Sequence, residues 1–201
     1  MKDDRNLQSV LQDQHEQGYS EIFRRIDSLL ELPEVVLVAI DGNCGAGKST
    51  LASLINNVYD SNIFHMDDFF LQPYQKTDER LEEVGGNVDY VRFHQEVISG
   101  IQSKCKFSYQ IYDCKDRSLS KTVLVTPKKL NIIEGAYSMH PTLIDNYKLK
   151  IFLQIDPQEQ RLRILRRNGI SLQQRFLNEW IPLENQYFDE MKIREQSDLV
   201  Y

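Results

Sequence analysis

At 201 residues the chain has the length of one domain with one sizeable core, and 41% hydrophobic with 27% charged residues excludes a disordered or fibrous class. A formal net charge of -6 argues against a surface built to neutralise nucleic-acid phosphates or anionic lipid. No apolar run approaches the roughly eighteen residues needed to span a bilayer, and the N-terminal segment is too charged for a secretory signal. The expectation is a cytoplasmic chain with neither nucleic acid nor membrane as a partner.

Residues 7–32 carry Ile22, Phe23, Ile26, Leu29 and Leu30 at helical spacing, and Pro33 closes the segment as an N-terminal helix over 1–32. An unbroken apolar run over 35–40 follows, as expected for a strand buried on both faces of a parallel sheet. A glycine-rich loop leads from it into a helix from Lys48 to Asn57. A second strand contains Ile63, Phe64 and His65. Beyond it, Met66-Asp67-Asp68-Phe69-Phe70 opens a polar stretch with Pro73, Gly85 and Gly86 that reads as a loop and a substrate rim.

Asp89 can cap a helix with Val91, Phe93, Val97, Ile98 and Ile101 among its apolar positions. Residues 108–113 and 122–126, with a polar turn between them, read as a small hairpin. Two further buried strands end at Glu134-Gly135 and at Asp156-Pro157. A helix then runs through Arg167, and a last one covers 171–195 with a break near Pro182. Alternating strands and helices predict one domain of three-layer α/β class. Its core and lid would span 35–168, and a C-terminal helical segment 171–201.

The chemistry is concentrated in Gly42-Asn43-Cys44-Gly45-Ala46-Gly47-Lys48-Ser49, which matches the phosphate-loop pattern and sits between a buried strand and a helix. Glycines let the backbone curl so that successive N–H groups face phosphate oxygens, and the helix N-terminus adds positive potential. Lys48 would reach the β- and γ-phosphates, and Ser49 would ligate the Mg²⁺ bridging them, with Thr50 continuing the helix. The three cysteines Cys44, Cys105 and Cys114 lack paired metal or redox spacing, so Cys44 reads as a small residue that fits the loop.

No guanine-reading Asn-Lys-x-Asp occurs in the chain, which favours ATP, and the compact length suits a small-molecule kinase. Asp67, with Asp68 beside it, is the candidate base for an acceptor hydroxyl or a helper at the metal, and Phe69 a candidate pocket wall. Glu134 closes an apolar strand as a metal-directed carboxylate does. Arg161, Arg163, Arg166 and Arg167 share one helix, where Arg163 pairs on a common side with Arg166 or with Arg167. An ATP-binding regulatory module without transfer chemistry is the reading from another class.

Taken together, residues 42–50, His65-Met66-Asp67-Asp68-Phe69-Phe70, Ile133-Glu134-Gly135 and 156–167 resemble the uridine kinase and phosphoribulokinase-like branch of P-loop kinases, across roughly 35–168. The resemblance implies a P-loop NTPase fold with a mainly parallel sheet and a short helical lid, and ATP and Mg²⁺ as cofactors. It implies Asp67 near the accepting hydroxyl, Ser49 on the metal, and Arg163 with Arg166 over the phosphates. The segment from Tyr109 to Arg117 resembles the family's nucleoside-lining Tyr-Asp segment, which makes Tyr112, Asp113 and Arg117 substrate contacts. Uridine kinases place a histidine shortly after that pair, and this chain has none there. Asp67-Asp68-Phe69-Phe70 also resembles nicotinamide riboside kinases. The implied partner is a nucleoside or similar small-molecule acceptor, with the oligomeric state open and a homo-oligomer among the alternatives.

Overall fold

The computed structural model describes residues 18–201. Among them, helix α1 (Ser20–Leu30) forms the end of the expected N-terminal helix, whose residues 7–17 lie outside the described part. Strand β1 (Val36–Gly42) is buried along its whole length, which accounts for its unbroken apolar sequence. It runs through the phosphate loop into α2 (Lys48–Val58), and β2 (Ser61–His65) ends in a 3-10 turn, Met66–Phe69.

The stretch read as loop contains a short helix, α3 (Asp78–Glu82), whose N-cap Thr77 accepts from the Arg80 amide. Asp89 caps the next helical run as expected. That run comprises α4 (Tyr90–Phe93), a wide π turn (His94–Ile98) and α5 (Ser99–Gln102). Strands β3 (Phe107–Asp113) and β4 (Ser118–Val125) form the antiparallel hairpin. Then come β5 (Leu130–Glu134), β6 (Leu149–Leu153), α6 (Pro157–Arg175), α7 (Ile181–Glu190) and the two-residue β7 (Leu199–Val200).

The main sheet has the order β2-β5-β1-β6-β7 with every neighbouring pair parallel. Alternate residues of β1 supply the two sides of the core. Val36, Val38 and Ile40 pack with Ile22 and Ile26 of α1 and with Leu51 and Ile55 of α2. Leu37 and Ala39 face Phe93, Val97, Tyr109 and Tyr187. The result is an α/β fold with helices on both sides of the sheet. Because β1 lies between β5 and β6, the carboxyl ends of these strands open a crevice at the point where the chain changes direction across the sheet.

The C-terminal helices follow the sequence expectation except at their end. Gly169, with φ 74° and ψ 173°, separates the two expected helices between Arg167 and Ser171, and the irregularity expected near Pro182 takes the form of the wide π turn Phe176–Trp180. Pro182 lies where the π turn Phe176–Trp180 runs on into α7, and that wide turn relieves the ring's clash with the preceding carbonyls. Helix α7 ends at Glu190, short of the expected 195.

Candidate active site

Gly42 pairs with Leu153 at the end of the β1–β6 ladder, with φ at 131°. A Cβ there would lie 1.9 Å from the Leu153 carbonyl oxygen, so only glycine lets β1 pass so close and turn into the loop. Lys48, the first residue of α2, folds its ammonium over the loop and donates to Gly42 O at 2.7 Å and Asn43 O at 3.1 Å. Thr50 lies exposed on the same helix. The Ser49 hydroxyl donates to Glu134 Oε1 at 3.0 Å, so the end of β5 meets the start of α2.

Two buried carboxylates against the loop were not singled out in the sequence. Asp41, fully buried beside Gly42, accepts from the Gly42 amide at 2.7 Å, the Met139 amide at 2.9 Å and the Tyr187 hydroxyl at 2.9 Å. Burial pushes its pKa up against these donors and the charge of Lys48. Glu184, on α7, accepts from the Cys44 amide at 3.0 Å, and burial lifts its carboxyl to about 7. A lone acidic residue directly after the apolar run ending at Ile40 was a readable sign for Asp41. For Glu184 no local sign exists, since its partner is 140 residues away.

Helix α6 closes on the same part of the loop. Its N-cap Asp156 accepts from the Gln158 and Glu159 amides and fixes the start of the helix. Gln160 then donates to Cys44 O at 2.9 Å, Arg163 Nη1 to Gly45 O at 3.2 Å, and Arg167 Nη2 approaches Cys44 Sγ at 3.5 Å. Arg166 is exposed and makes no hydrogen bond or ion pair to the loop among the described residues. The helical phase therefore brings Arg163 and Arg167, four apart, to the loop, whereas the resemblance had paired Arg163 with Arg166.

On the other side of Glu134, His65 Nδ1 lies 2.5 Å from Oε1, the oxygen that also accepts from Ser49. That hydrogen bond raises the imidazole pKa, with burial acting against it. Asp67 follows on the 3-10 turn and is exposed to solvent. The protein crowded around it raises its pKa; Lys48, His65 and Arg167 pull it down, and Glu134 adds to the rise. Asp68 is turned toward β3: Tyr109 lies beside it, and burial with this carboxylate neighbour pushes the Tyr109 hydroxyl up to about 12.

The expected substrate contacts are spread out. Phe69 is fully buried, stacked with Tyr109 at 5.6 Å between centroids, edge-on to Phe93 at 4.8 Å and covered by the Arg92 guanidinium at 4.1 Å. It anchors the 3-10 turn from inside and does not wall a pocket. Tyr112 is also buried, in β3. Asp113 closes the hairpin turn by accepting from the Lys115 and Asp116 amides, and Arg117 occupies a left-handed turn position with φ 53°. The hairpin tip is nonetheless near the cleft, because Asp67 and Lys76 both act on Cys114.

Ser49, Glu134 and Asp67 present hard oxygen donors at the mouth of the loop. This suits Mg²⁺, which takes one or two protein oxygens and completes its shell with phosphate and water. No group of three His, Cys, Asp or Glu side chains arranged as an all-protein metal cage occurs among the described residues, and none is needed for such a metal. None of the described helices is long and apolar enough to cross a membrane.

Comparison with solved structures defines the class of fold. A protein from Bacillus stearothermophilus described as a "possible uridine kinase" superposes with a TM-score of 0.65 at 19% identity, covering 90% of this chain and 99% of the other. A "putative fructose transport system kinase" from Silicibacter sp. TM1040 superposes with a TM-score of 0.66 at 20% identity, covering 90% and 95%. The chain thus shares the α/β fold of these two structures, with a parallel sheet between helical layers. Neither the protein-family models nor the curated protein sequences give a match.

Proposed function

We propose that this chain is an ATP-dependent phosphotransferase that moves the terminal phosphoryl group of ATP to a hydroxyl of a nucleoside or other ribose-like small molecule. The observation that carries the reading is the position of Asp67. It is an ionisable group on the turn after β2, open to the cleft and within the electrostatic reach of Lys48, Glu134 and Arg167. A phosphate loop alone binds a nucleotide. A carboxylate facing it across the cleft adds an acceptor side.

In this reading the loop amides and Lys48 hold the phosphates, and Ser49 with Glu134 and Asp67 would hold Mg²⁺. When bound, the metal supplies positive charge against the β- and γ-phosphate oxygens. Asp67 takes the proton of the acceptor hydroxyl while that oxygen bonds to the γ-phosphorus and the bond to the β–γ bridging oxygen breaks, leaving ADP. Burial raises the pKa of Asp67, the direction that suits a proton acceptor, with Lys48 and His65 acting against the rise. Arg163 and Arg167 approach the loop from α6 and can offset charge on the transferring group.

The acceptor is left open by the fold, since one similar structure carries a uridine description and the other a fructose one. A nicotinamide riboside or sugar kinase belongs to the same chemistry. The test is ADP release by the purified chain with MgATP across a panel of nucleosides, ribosides and sugars. At least one acceptor should raise ADP release well above the acceptor-free rate. Tight ATP binding with no stimulation by any class of hydroxyl would favour a nucleotide-binding regulatory module.

A further inference from the structure

Glu184 reaches the phosphate loop from α7, where it is 7% exposed, and its Oε2 accepts the Cys44 amide at 3.0 Å. This amide belongs to the end of the loop that Lys48 covers, because the ammonium donates to Gly42 O and to Asn43 O, the residue just before Cys44. The lysine of a phosphate loop reaches the β- and γ-phosphates, so the Cys44 amide lies at the terminal-phosphate end of the cradle. A carboxylate bonded there is an anion in the place of a phosphate oxygen.

The surroundings do not neutralise it. Lys48 is attractive, while Asp41 at the end of β1 and Asp67 on the turn after β2 are repulsive. From the other packed elements it faces the Tyr137 hydroxyl, after β5, and the Cys44 thiol, on which Arg167 of α6 also acts. Bringing a terminal phosphate to the same amide would add another anion to this group. A carboxylate can only accept hydrogen bonds, whereas a neutral carboxyl can donate one to a phosphate oxygen.

We infer that Glu184 is a proton-coupled gate on the phosphate loop: its carboxylate and the terminal phosphate of a nucleoside triphosphate compete for the Cys44 N–H, so the triphosphate binds together with a proton that neutralises Glu184, and a diphosphate binds without it. The inference rests on the nucleotide-binding half of the proposed function and is independent of phosphoryl transfer. Burial keeps the carboxyl titrating at about 7, so the proton is available near neutral pH.

The test is calorimetric titration of the full chain with MgATP and with MgADP, between about pH 6 and 8.5, in buffers of different ionisation enthalpy. For ATP, the measured heat should vary between buffers as proton uptake requires, and affinity should fall by up to about tenfold per pH unit above the Glu184 pKa. For ADP, neither effect should appear. Glu184→Gln should remove the ATP-specific uptake, flatten the ATP profile and bind ATP more tightly than the natural chain at the alkaline end. This variant separates Glu184 from His65 and from the phosphate itself.

Equal proton uptake with ATP and ADP, an unchanged pH profile in Glu184→Gln, or failure of the natural chain to bind ATP would each overturn the gate. If the variant does not fold, the ATP-against-ADP comparison on the natural chain decides. Glu184-dependent uptake without turnover of any acceptor would retain the gate and remove the transfer reading. Turnover with pH-flat ATP binding would do the reverse.

Discussion

The Ser49 hydroxyl and the Glu134 carboxylate meet over 3.0 Å, and through that contact the first turn of the loop helix touches the end of the neighbouring strand. The same Glu134 oxygen lies against His65. If this contact marks the metal side of the site, Glu134→Gln keeps the shape and removes the charge. The apparent Mg²⁺ affinity should then fall by on the order of tenfold to a hundredfold. Mg²⁺ titration of ATP turnover measures it, and an unchanged Mg²⁺ dependence would remove Glu134 from that role.

Asp67 is expected to matter far more for transfer than for nucleotide binding. Asp67→Asn should bind ATP within a few-fold of the natural chain while kcat drops by about 10²–10⁴, the range for loss of a positioned base. Paired binding and single-turnover measurements separate the two effects. Retained kcat would mean that another group receives the proton.

The arginines of α6 divide by helical phase. Arg163→Ala and Arg167→Ala each remove a side chain that touches the loop, and kcat should fall by at least about tenfold in each. Arg166→Ala, at an exposed position without a loop contact, should stay within about twofold. Equal losses at Arg166 and Arg167 would show that α6 turns about its axis when the substrates are in place.

Two buried groups should give stability opposite pH slopes. Burial holds His140 down at about 4, where Tyr90 stacks on its ring and the Thr142 amide donates to Nδ1. Its contribution is fully present above the ordinary histidine value and is lost as pH falls toward 4, by up to about 3 kcal/mol. Glu184, raised to about 7, contributes fully below the ordinary glutamate value, and that contribution is lost as pH rises through 7, by a similar amount of about 3 kcal/mol. Urea unfolding against pH should show His140→Asn losing the acid-side slope and Glu184→Gln losing the slope up to neutrality. A variant that keeps its slope would contradict the corresponding assignment.

Features encoded by neighbours in sequence were legible. Gly42 to Ser49 follows a fixed local spacing, the buried strand before it is an unbroken apolar run, and Asp89 caps its helix as its position suggests. What escaped depends on contacts between distant residues or on the phase of a turn. Tyr187 reaches Asp41 across 146 residues and Gln160 reaches Cys44 across 116, so no local pattern marks either. Phe69 looked like a pocket wall because it adjoins Asp67, but the tight 3-10 turn directs it into the core. The choice between Arg166 and Arg167 needed the orientation of α6 on the loop, and β7 is two residues long, too short to leave a periodic signal.

The central claim is that Asp67 and the phosphate loop form the two sides of one transfer site. It is tested most directly by giving the purified chain ATP labelled isotopically in the terminal phosphate, together with the acceptor panel, and examining the acceptors by mass spectrometry. The account predicts a phosphate ester on one class of hydroxyl that carries the label, formed by the natural chain and not by Asp67→Asn. Labelled ester formed equally well by Asp67→Asn, or ATP bound tightly with label in no acceptor, would contradict it.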